Sequence, residues 1–542
     1  MNSHIYNNVL GMTTGHKSVV FQRTFLFFCF FILLLFPVAA QEVDDEIITE
    51  GLHYKVEMQA SLSHGDHEPL WLNANKYGLS SLDKSNGYLR ASLERPLTND
   101  NEKKWGWGAG IDLAGAYGFT SKLVVQQAFV EGRWLQGTLT IGAKEYPMEL
   151  KNQLLSSGSQ TLGINARPVP QVRLALPNYW ALPFTNGWVS IKGHVAYGKT
   201  TDDKWQKDFT HQQSKYTEGV WYHSKAGYLK IGNDYRFMPV SLELGLEMAA
   251  QFGGKSYKTG LADVVENEGG LKGMWHALIP GGSDATETTY QNVSGNQLGS
   301  WLFRLNFDYD TWYFGIYGDH YFEDHSAMLH LDYDGYGTGA EWDVRKKHRY
   351  LLYNLKDILL GVDFRLKGNY WINNVLIEYL YTKYQSGPVY HDHTVNISDH
   401  IGGMDNYYNH SIFTGWQHWG QAVGNPLYTS PLYNEDETVF FKNNRFVTWH
   451  IGIAGSPNYN FNYRLLATFQ RSFGTYAKPL VYPCDTQHLL AEANYNFSSY
   501  SQLHGWSVKA AVGADFGKTY GKNIGFQLTI AKIGTFQLKS KK

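Results

Sequence analysis

The chain has 542 residues, of which 43% are apolar and 18% charged, with 47 Lys and Arg against 49 Asp and Glu. It contains 38 Tyr, 29 Phe, 17 Trp and 55 Gly, and its mean hydropathy is −0.37. So many aromatic residues exclude a disordered chain, and the balanced charge argues against nucleic acid as a partner. Only one stretch approaches a long apolar run, which excludes a polytopic helical membrane protein. Abundant Tyr, Trp and Gly at moderate hydropathy favour a large β-structure that meets both lipid and water.

The first forty residues have the pattern of a secretory signal peptide. Lys17 and Arg23 precede the apolar run Thr24–Phe36, and small residues within 37–40 form a cleavage site. The run is short for a transmembrane helix and has no charged stop, although an uncleaved anchor is the alternative. We therefore expect residues 1–40 to be removed and residues 41–542 to form one domain. Only Cys484 would then remain, so no intramolecular disulfide is possible.

Alternating apolar and polar residues run through the rest of the chain. In the segment 301–310, aromatic and aliphatic residues at odd positions alternate with Arg304, Asn306 and Asp308. Comparable segments are Leu52–Ser63, Trp107–Phe119, Val189–Tyr197, Val240–Phe252, Leu360–Lys367, Val447–Ile453, Leu489–Phe497, Val508–Phe516 and Ile524–Ile530. Successive side chains of a strand point to opposite faces, so each segment has one apolar and one polar face.

The length of these segments distinguishes a membrane barrel from a soluble sandwich. Many approach the roughly nine to eleven residues of a tilted membrane strand, and aromatic residues cluster at their ends as in interfacial girdles. Backbone groups in lipid must all be paired, and only a closed sheet does this for strands. We predict a closed antiparallel transmembrane β-barrel of roughly 16–18 strands in the outer membrane. Ile524–Ile530 is the expected closing strand, and outer-membrane lipid and the barrel-assembly machinery are expected partners.

Two long interruptions, at 253–300 and 384–445, separate the alternating segments. Loops of this length are uncommon unless they are functional, and the longer loops of such barrels face the outside. A third irregular stretch, Gly65–Leu82, follows the first segment, and Glu149–Leu155 is a candidate short helix.

Motifs in these interruptions carry a family resemblance. The chain reads PLWLNANKYG from Pro69 to Gly78, and NHSIFTGWQHWG from Asn409 to Gly420, followed by Gly424-Asn425-Pro426-Leu427 and Ser430-Pro431-Leu432-Tyr433. Together with the barrel pattern, these motifs resemble the capsule assembly Wzi family as it occurs in Bacteroidetes. The resemblance implies an outer-membrane barrel that binds capsular polysaccharide and helps to hold it at the cell surface. It also implies a lumen obstructed by helical or loop elements.

Residues in the motifs have the chemistry of a sugar site. Sugar C–H faces stack on aromatic rings, and sugar hydroxyls pair with side-chain amides. The candidate polysaccharide-binding residues are Trp416, Gln417, His418, Trp419, Asn425, Tyr407 and Tyr408. The alternative is that these rings only pack the loop against the barrel. Trp71, Asn73, Asn75 and Tyr77 are candidates for a lumen plug and have the same ambiguity.

Enzymatic and metal-binding functions have weaker support. Asn409-His410-Ser411 contains the residue types of a hydrolase, but adjacency in sequence does not place a base against a nucleophile. His391-Asp392-His393, with His400 nearby, has the donors of a divalent-ion site, although exposed loops with scattered His are the more common explanation. We predict no enzyme, no cofactor and no metal. The alternative function is a porin or an oligosaccharide export channel, and an open lumen would distinguish it.

Overall fold

The computed structural model describes residues 51–233, 236–279, 295–323, 328, 356–391 and 400–537. The expected signal peptide and most of the His391-Asp392-His393 triplet lie outside these ranges.

Eighteen strands of the described chain form one closed antiparallel sheet in which each strand pairs with the next. They are β1 Leu52–His64, β2 Ser85–Arg95, β3 Trp105–Tyr117, β4 Leu123–Trp134, β5 Gly137–Ala143, β6 Gln171–Ala181, β7 Val189–Lys199, β8 Trp221–Ile231, β9 Val240–Phe252, β10 Asn296–Asp308, β11 Trp312–Glu323, β12 Ile358–Leu366, β13 Asn374–Tyr381, β14 Phe446–Gly455, β15 Phe461–Gly474, β16 Pro479–Asn496, β17 Trp506–Gly517 and β18 Asn523–Phe536. β18 pairs with β1 from Leu52↔Phe536 to His64↔Ile524, which closes the barrel. The predicted barrel, its strand number and its closing strand are confirmed.

The two ends of the barrel differ in the length of their connections. Short turns join the strands at the end that holds Leu52 and Phe536. Every connection of twenty residues or more leaves from the opposite end, namely 65–84, 144–170, 200–220, 253–295, 324–357 and 382–445. Short turns face the periplasm and long loops face outward in such barrels, so this second end is extracellular.

The side chains of the wall are sorted as the alternation predicts. On β10, Phe303, Leu305 and Phe307 face outward, whereas Arg304 is buried on the lumen side. On β1, Glu57 is buried inside. The apolar outer face therefore matches lipid, and the polar side chains lie where other groups can pair with them.

Exposed aromatic side chains form a girdle near the periplasmic end. Its members are Trp105, Trp107, Trp134, Trp188, Phe237, Tyr309, Tyr370, Trp371, Tyr459 and Tyr500. Amphipathic rings are stable at the boundary between lipid and water, so the girdle marks one edge of the membrane-spanning band.

Three α-helices are described: α1 Leu70–Asn73, α2 Asp203–Phe209 and α3 Gly270–Leu278. None of the helices in the described ranges has the length and apolar character to cross a bilayer. α3 lies on the outer wall, where the Tyr197 hydroxyl donates to the Met274 carbonyl at 2.7 Å. The predicted helix over 149–155 is wrong, because this stretch forms turns. Asn152 accepts the amides of Leu154 and Leu155 at 3.0 Å and donates to Asp363 of the wall at 3.1 Å.

Candidate functional site: the lumen plug

Three segments fold back into the barrel and fill it, and we call residues 65–84, 144–170 and 405–445 the lumen plug. Their apolar side chains join lumen-facing strand residues in one buried cluster, which includes Leu70, Trp71, Leu155, Val169, Leu298, Tyr317, Tyr321, Leu359, Tyr407, Tyr408, Trp416, Leu427, Tyr428, Phe441, Leu466 and Leu490. The expected obstruction of the lumen is confirmed. Gly65–Leu82, the segment to which the sequence pointed, is one of three contributors.

The segment 144–170 is held by buried carboxylates of the barrel wall. Glu378 accepts the Ser157 amide at 2.8 Å, and Asp319 accepts the Gln160 amide at 3.0 Å. Both carboxylates are buried, and such groups are stable away from water only when they are paired. Irregular backbone inside the barrel has no ladder of its own, so these side chains satisfy it.

The segment 65–84 is fixed to the wall at α1. The Trp71 indole donates to the Thr468 hydroxyl at 3.0 Å, and the Leu70 amide donates to Asp515 at 3.1 Å. Bonds to β15 and β17 on one side of the barrel therefore set the position of this short helix.

The same segment is also joined to its neighbour in the plug. The Asn75 side chain donates to the Ser157 carbonyl at 3.0 Å, and the Tyr77 hydroxyl donates to the Tyr146 carbonyl at 3.1 Å. Asn73 is buried, and its side-chain oxygen accepts the Gln421 amide at 3.4 Å. All four residues proposed for a plug thus lie in it and contact barrel wall or plug.

Tyrosines hold the segment 405–445 against the centre of the plug. The ring of Tyr408 stacks on Tyr428 with centroids 3.9 Å apart, and its hydroxyl donates to the Gln160 carbonyl. That hydroxyl also accepts the Asn425 amide at 2.9 Å. Tyr407, Tyr408 and Asn425 are all fully buried, so in this arrangement they pack the plug.

Trp416 and Gln417 lie deeper in the same packing. The Trp416 ring stacks on Tyr222 of β8 at 5.7 Å, and its indole donates to the Thr161 carbonyl at 2.9 Å. Gln417 donates to the Asp202 carboxylate at 3.1 Å. Trp416 is 0% exposed, so no part of its ring is available to an outside ligand.

His418 has both ring nitrogens occupied. Nδ1–H donates to the Arg167 carbonyl at 2.9 Å, and Nε2 accepts the Thr201 amide at 3.2 Å. Burial lowers the pKa of His418 from its ordinary 6.5. A neutral imidazole with this tautomer is a structural link between two segments.

Trp419 differs from the six other candidate residues because it is partly exposed. The guanidinium of Arg167 lies over its ring at 4.3 Å, and its indole donates to the Thr201 hydroxyl at 3.2 Å. Its backbone has φ of 55°, and its amide donates to Asp202 at 3.1 Å. The side chain is therefore held rigidly while part of its surface remains accessible.

The long extracellular loop differs from expectation in its course. Residues 384–445 were expected to project outward, yet Phe413 and Phe441 are buried with the tyrosines and Trp416 described above. So much aromatic surface is more stable inside the barrel than in water. Whether the seven candidate residues contact polysaccharide remains a prediction.

Neither of the other candidate sites acquires support from its geometry. His410 accepts the amides of Ile412 and Phe413 at Nδ1, and burial together with Lys215 lowers its pKa to about 3. Asn409 donates to the Phe441 carbonyl at 2.9 Å. Through these contacts, Asn409 and His410 of the hydrolase-like triplet hold the local backbone.

The candidate metal site has no counterpart among the described residues either. In the described part of the chain, no group of three or more His, Cys, Asp or Glu is placed to hold a metal ion.

Sequence reasoning missed the segment 144–170 and the acidic residues that hold it. The segment has no alternation, and its Ser156-Ser157-Gly158-Ser159-Gln160 run is rich in small and polar residues. The signal available in the sequence was the length of this stretch, which joins two strands and shows no alternation of apolar and polar residues.

The chain matches a family model described as capsule assembly protein Wzi over residues 71–345. Among solved structures, it is similar to Wzi of Escherichia coli, described as a carbohydrate-binding β-barrel of the outer membrane involved in group 1 capsule assembly. The two share 12% identity over 89% of this chain and 85% of that one, with a TM-score of 0.50, so the likeness concerns the fold alone.

Two further solved structures are similar at a lower level. Pseudomonas aeruginosa OprD shares 9% identity over 92% of this chain and 98% of its own, with a TM-score of 0.41. Acinetobacter baumannii OccAB3 shares 9% over 90% and 99%, with a TM-score of 0.42. Neither score supports an argument about function. No curated protein matches the chain.

Proposed function

Since the chain belongs to the Wzi capsule assembly family and is an outer-membrane β-barrel, we propose that it binds capsular or other surface polysaccharide and assists its attachment at the cell surface. The observation that carries this proposal is the filled lumen. A barrel obstructed by three hydrogen-bonded segments of its own chain is suited to presenting a fixed extracellular surface. A porin or export channel requires a continuous water path, which the plug opposes.

We assign direct sugar contact to Trp419 and a positioning role to the buried candidates. A partly exposed indole held by Arg167 and Thr201 offers a preorganised stacking surface at low entropic cost. Trp416, Gln417 and His418 fix the backbone that presents it. We place no catalytic step on the Asn409-His410-Ser411 triplet, because His410 is committed to a turn and is held neutral by burial.

The test compares three single variants of the full protein. Trp419→Ala removes the proposed stacking surface, Trp419→Phe keeps a smaller ring, and Trp371→Ala is a matched control at an exposed periplasmic turn. Loss of a stacking contact worth roughly 1–1.5 kcal/mol weakens binding about tenfold at that site. We expect Trp419→Ala cells to shed capsule into the medium with normal barrel levels, Trp419→Phe to be intermediate and Trp371→Ala to be unchanged.

Retention of surface capsule by Trp419→Ala cells, with unaltered binding of purified polysaccharide, would show that Trp419 is not a contact residue.

A second variant, Trp416→Ala, separates the packing of the plug from the recognition of polysaccharide. We expect it to destabilise the plug by about 3–5 kcal/mol, because it empties a fully buried site. Its effect on capsule would then come with a loss of folded protein, which Trp419→Ala should not show.

A further inference from the structure

A cavity of about 380 Å³ lies between the plug and the inner wall of β4 to β9. It reaches from Val423 and Leu162 in the plug to Leu97 in a periplasmic turn. Its volume falls in the range of about 300–1,000 Å³ that small-molecule sites occupy. Charged, amide and aromatic side chains line the cavity together with apolar ones, a mixture that suits a ligand with both polar groups and C–H faces.

Two of the carboxylates that line the cavity have cations beside them. Lys144 contacts Glu131 at 2.7 Å, and Lys192 contacts Glu149 at 2.5 Å. Glu247 is fully buried and accepts the Tyr228 hydroxyl at 2.7 Å. These carboxylates therefore have partners of their own.

Arg173 has no such partner. It lines the same cavity from β6, and its Nε has no hydrogen-bond partner among the described residues. Its guanidinium lies 3.9 Å from the centroid of the Tyr146 ring. An Arg without a counter-ion in a protein interior is unfavourable unless something else supplies the charge.

A second cation and two oxygens in the lining are also incompletely paired. Arg167 is 8% exposed and donates to the Thr120 hydroxyl at 2.8 Å, but its Nε has no hydrogen-bond partner and no carboxylate lies within ion-pair distance of it in the described chain. Thr138, which is 5% exposed, and Gln171 each have a side-chain oxygen without a hydrogen-bond partner. Buried polar groups are normally paired, so these unpaired atoms offer hydrogen-bonding positions to a polar ligand in the cavity.

We propose that this cavity binds an acidic sugar unit, a hexuronate, whose carboxylate is held by Arg173. The planar guanidinium fork matches a carboxylate in a bidentate pair. Tyr146 lines the same space and offers ring surface to the sugar, while Gln171 and Thr138 can pair with hydroxyls. This site lies inside the barrel and goes beyond the proposed surface function, since it requires neither capsule nor Trp419.

The test measures binding of galacturonate to the purified full-length protein by calorimetry, with galactose as the neutral counterpart. Charge-assisted hydrogen bonds contribute about 1.5–3 kcal/mol, so Arg173→Gln should weaken galacturonate binding by about 10–100-fold. Arg173→Lys keeps the positive charge but not the planar guanidinium fork. Its affinity for galacturonate should therefore lie between that of the unmodified protein and that of Arg173→Gln. Arg471→Gln is the matched control, because Arg471 lies exposed near the extracellular rim beside Asp485.

The comparison of sugars on the unmodified protein needs no variant, so it holds even if Arg173→Gln fails to fold. Equal binding of galactose and galacturonate, or no binding of galacturonate, would overturn the proposal. Displacement of galacturonate by an equal concentration of inorganic phosphate would show an anion site without sugar recognition, and would also overturn it. Unchanged affinity in a folded Arg173→Gln protein would remove Arg173 from the site.

Discussion

Gly420 is the residue that allows the Trp419 turn to close against the neighbouring loop. Its φ of 78° lies in the left-handed region, where residues with a Cβ are strained. A Cβ added here would lie 2.6 Å from the Trp205 ring, far inside contact distance. Both backbone and packing therefore require glycine at this position.

Gly420→Ala should destabilise the plug by about 1–3 kcal/mol, because it combines left-handed strain with a clash against a rigid ring. Gly260→Ala is a matched control, since Gly260 has φ of 83° but no atom within 4 Å of its added Cβ. Chemical unfolding of the two purified variants provides the comparison. If both variants lose the same stability, the clash with Trp205 contributes nothing and only strain matters.

The entry of the chain into α1 depends on one buried carboxylate. Glu68 accepts the Asn86 side chain at 2.9 Å and that of Gln527 at 3.3 Å, and it also accepts the Ser61 hydroxyl. Burial raises the pKa of Glu68 to about 7, although the charge of Lys76 acts in the opposite direction. This segment of the plug is therefore sensitive to pH near neutrality.

The folded state holds the Glu68 proton more tightly than the unfolded chain does. Its contribution to stability is therefore present below the ordinary pKa of 4.5 and is lost as the pH rises to about 7. Hydrogen exchange of the α1 amides, corrected for intrinsic rates, should show easier opening across this interval. Glu68→Gln keeps the size and removes the titration, so its opening should be independent of pH. The same pH dependence in both proteins would assign the effect to another group.

At the scale of the whole barrel, the stability lost when a charged side chain is placed on the outer face should depend on how deep that position lies in the lipid. Leu305 lies on the apolar face of β10, and Tyr309 lies beyond its periplasmic end. Leu305→Arg should cost about 2–4 kcal/mol near the midplane, whereas Tyr309→Arg should cost about 0–1 kcal/mol. Chemical unfolding of the two variants from lipid vesicles measures the loss of stability in each. Equal losses would mean that this face does not meet the bilayer core.

Removal of one plug segment should alter conduction in a defined direction. Residues 144–170 join β5 and β6, whose ends pair at Gly142↔Gln171, so a short Gly-Ser turn can replace them. The replacement exposes Asp319 and Glu378 to the lumen without their backbone partners. We expect small or absent conductance in planar bilayers from the unmodified protein, and cation-selective conductance from the variant. Steady large conductance before any change would favour a porin.

The barrel was predictable because its signal is local, whereas the plug depends on contacts between distant parts of the chain. Alternation on β9 or β10 is visible within a dozen residues and sets the face of each side chain. Trp416 and Trp419 lie in one motif of uniform composition, and only the folded chain shows that the first is buried by Tyr222 while the second is partly exposed. The carboxylates that hold residues 144–170 come from strands far away in sequence, and the alternation of residues within a strand does not show such long-range contacts.

The inward course of the loops also changes where the chain can tolerate substitution. In most folded proteins, connecting segments vary freely because they lie in water, and the regular elements are constrained by packing. Here the outer faces of the strands need only be apolar, so many side chains are interchangeable there. The connections 65–84, 144–170 and 405–445 instead contain the tightest interior packing. Among related sequences, we expect the membrane strands to diverge while these connections retain their residues, and insertions to accumulate in the connections that stay outside the barrel.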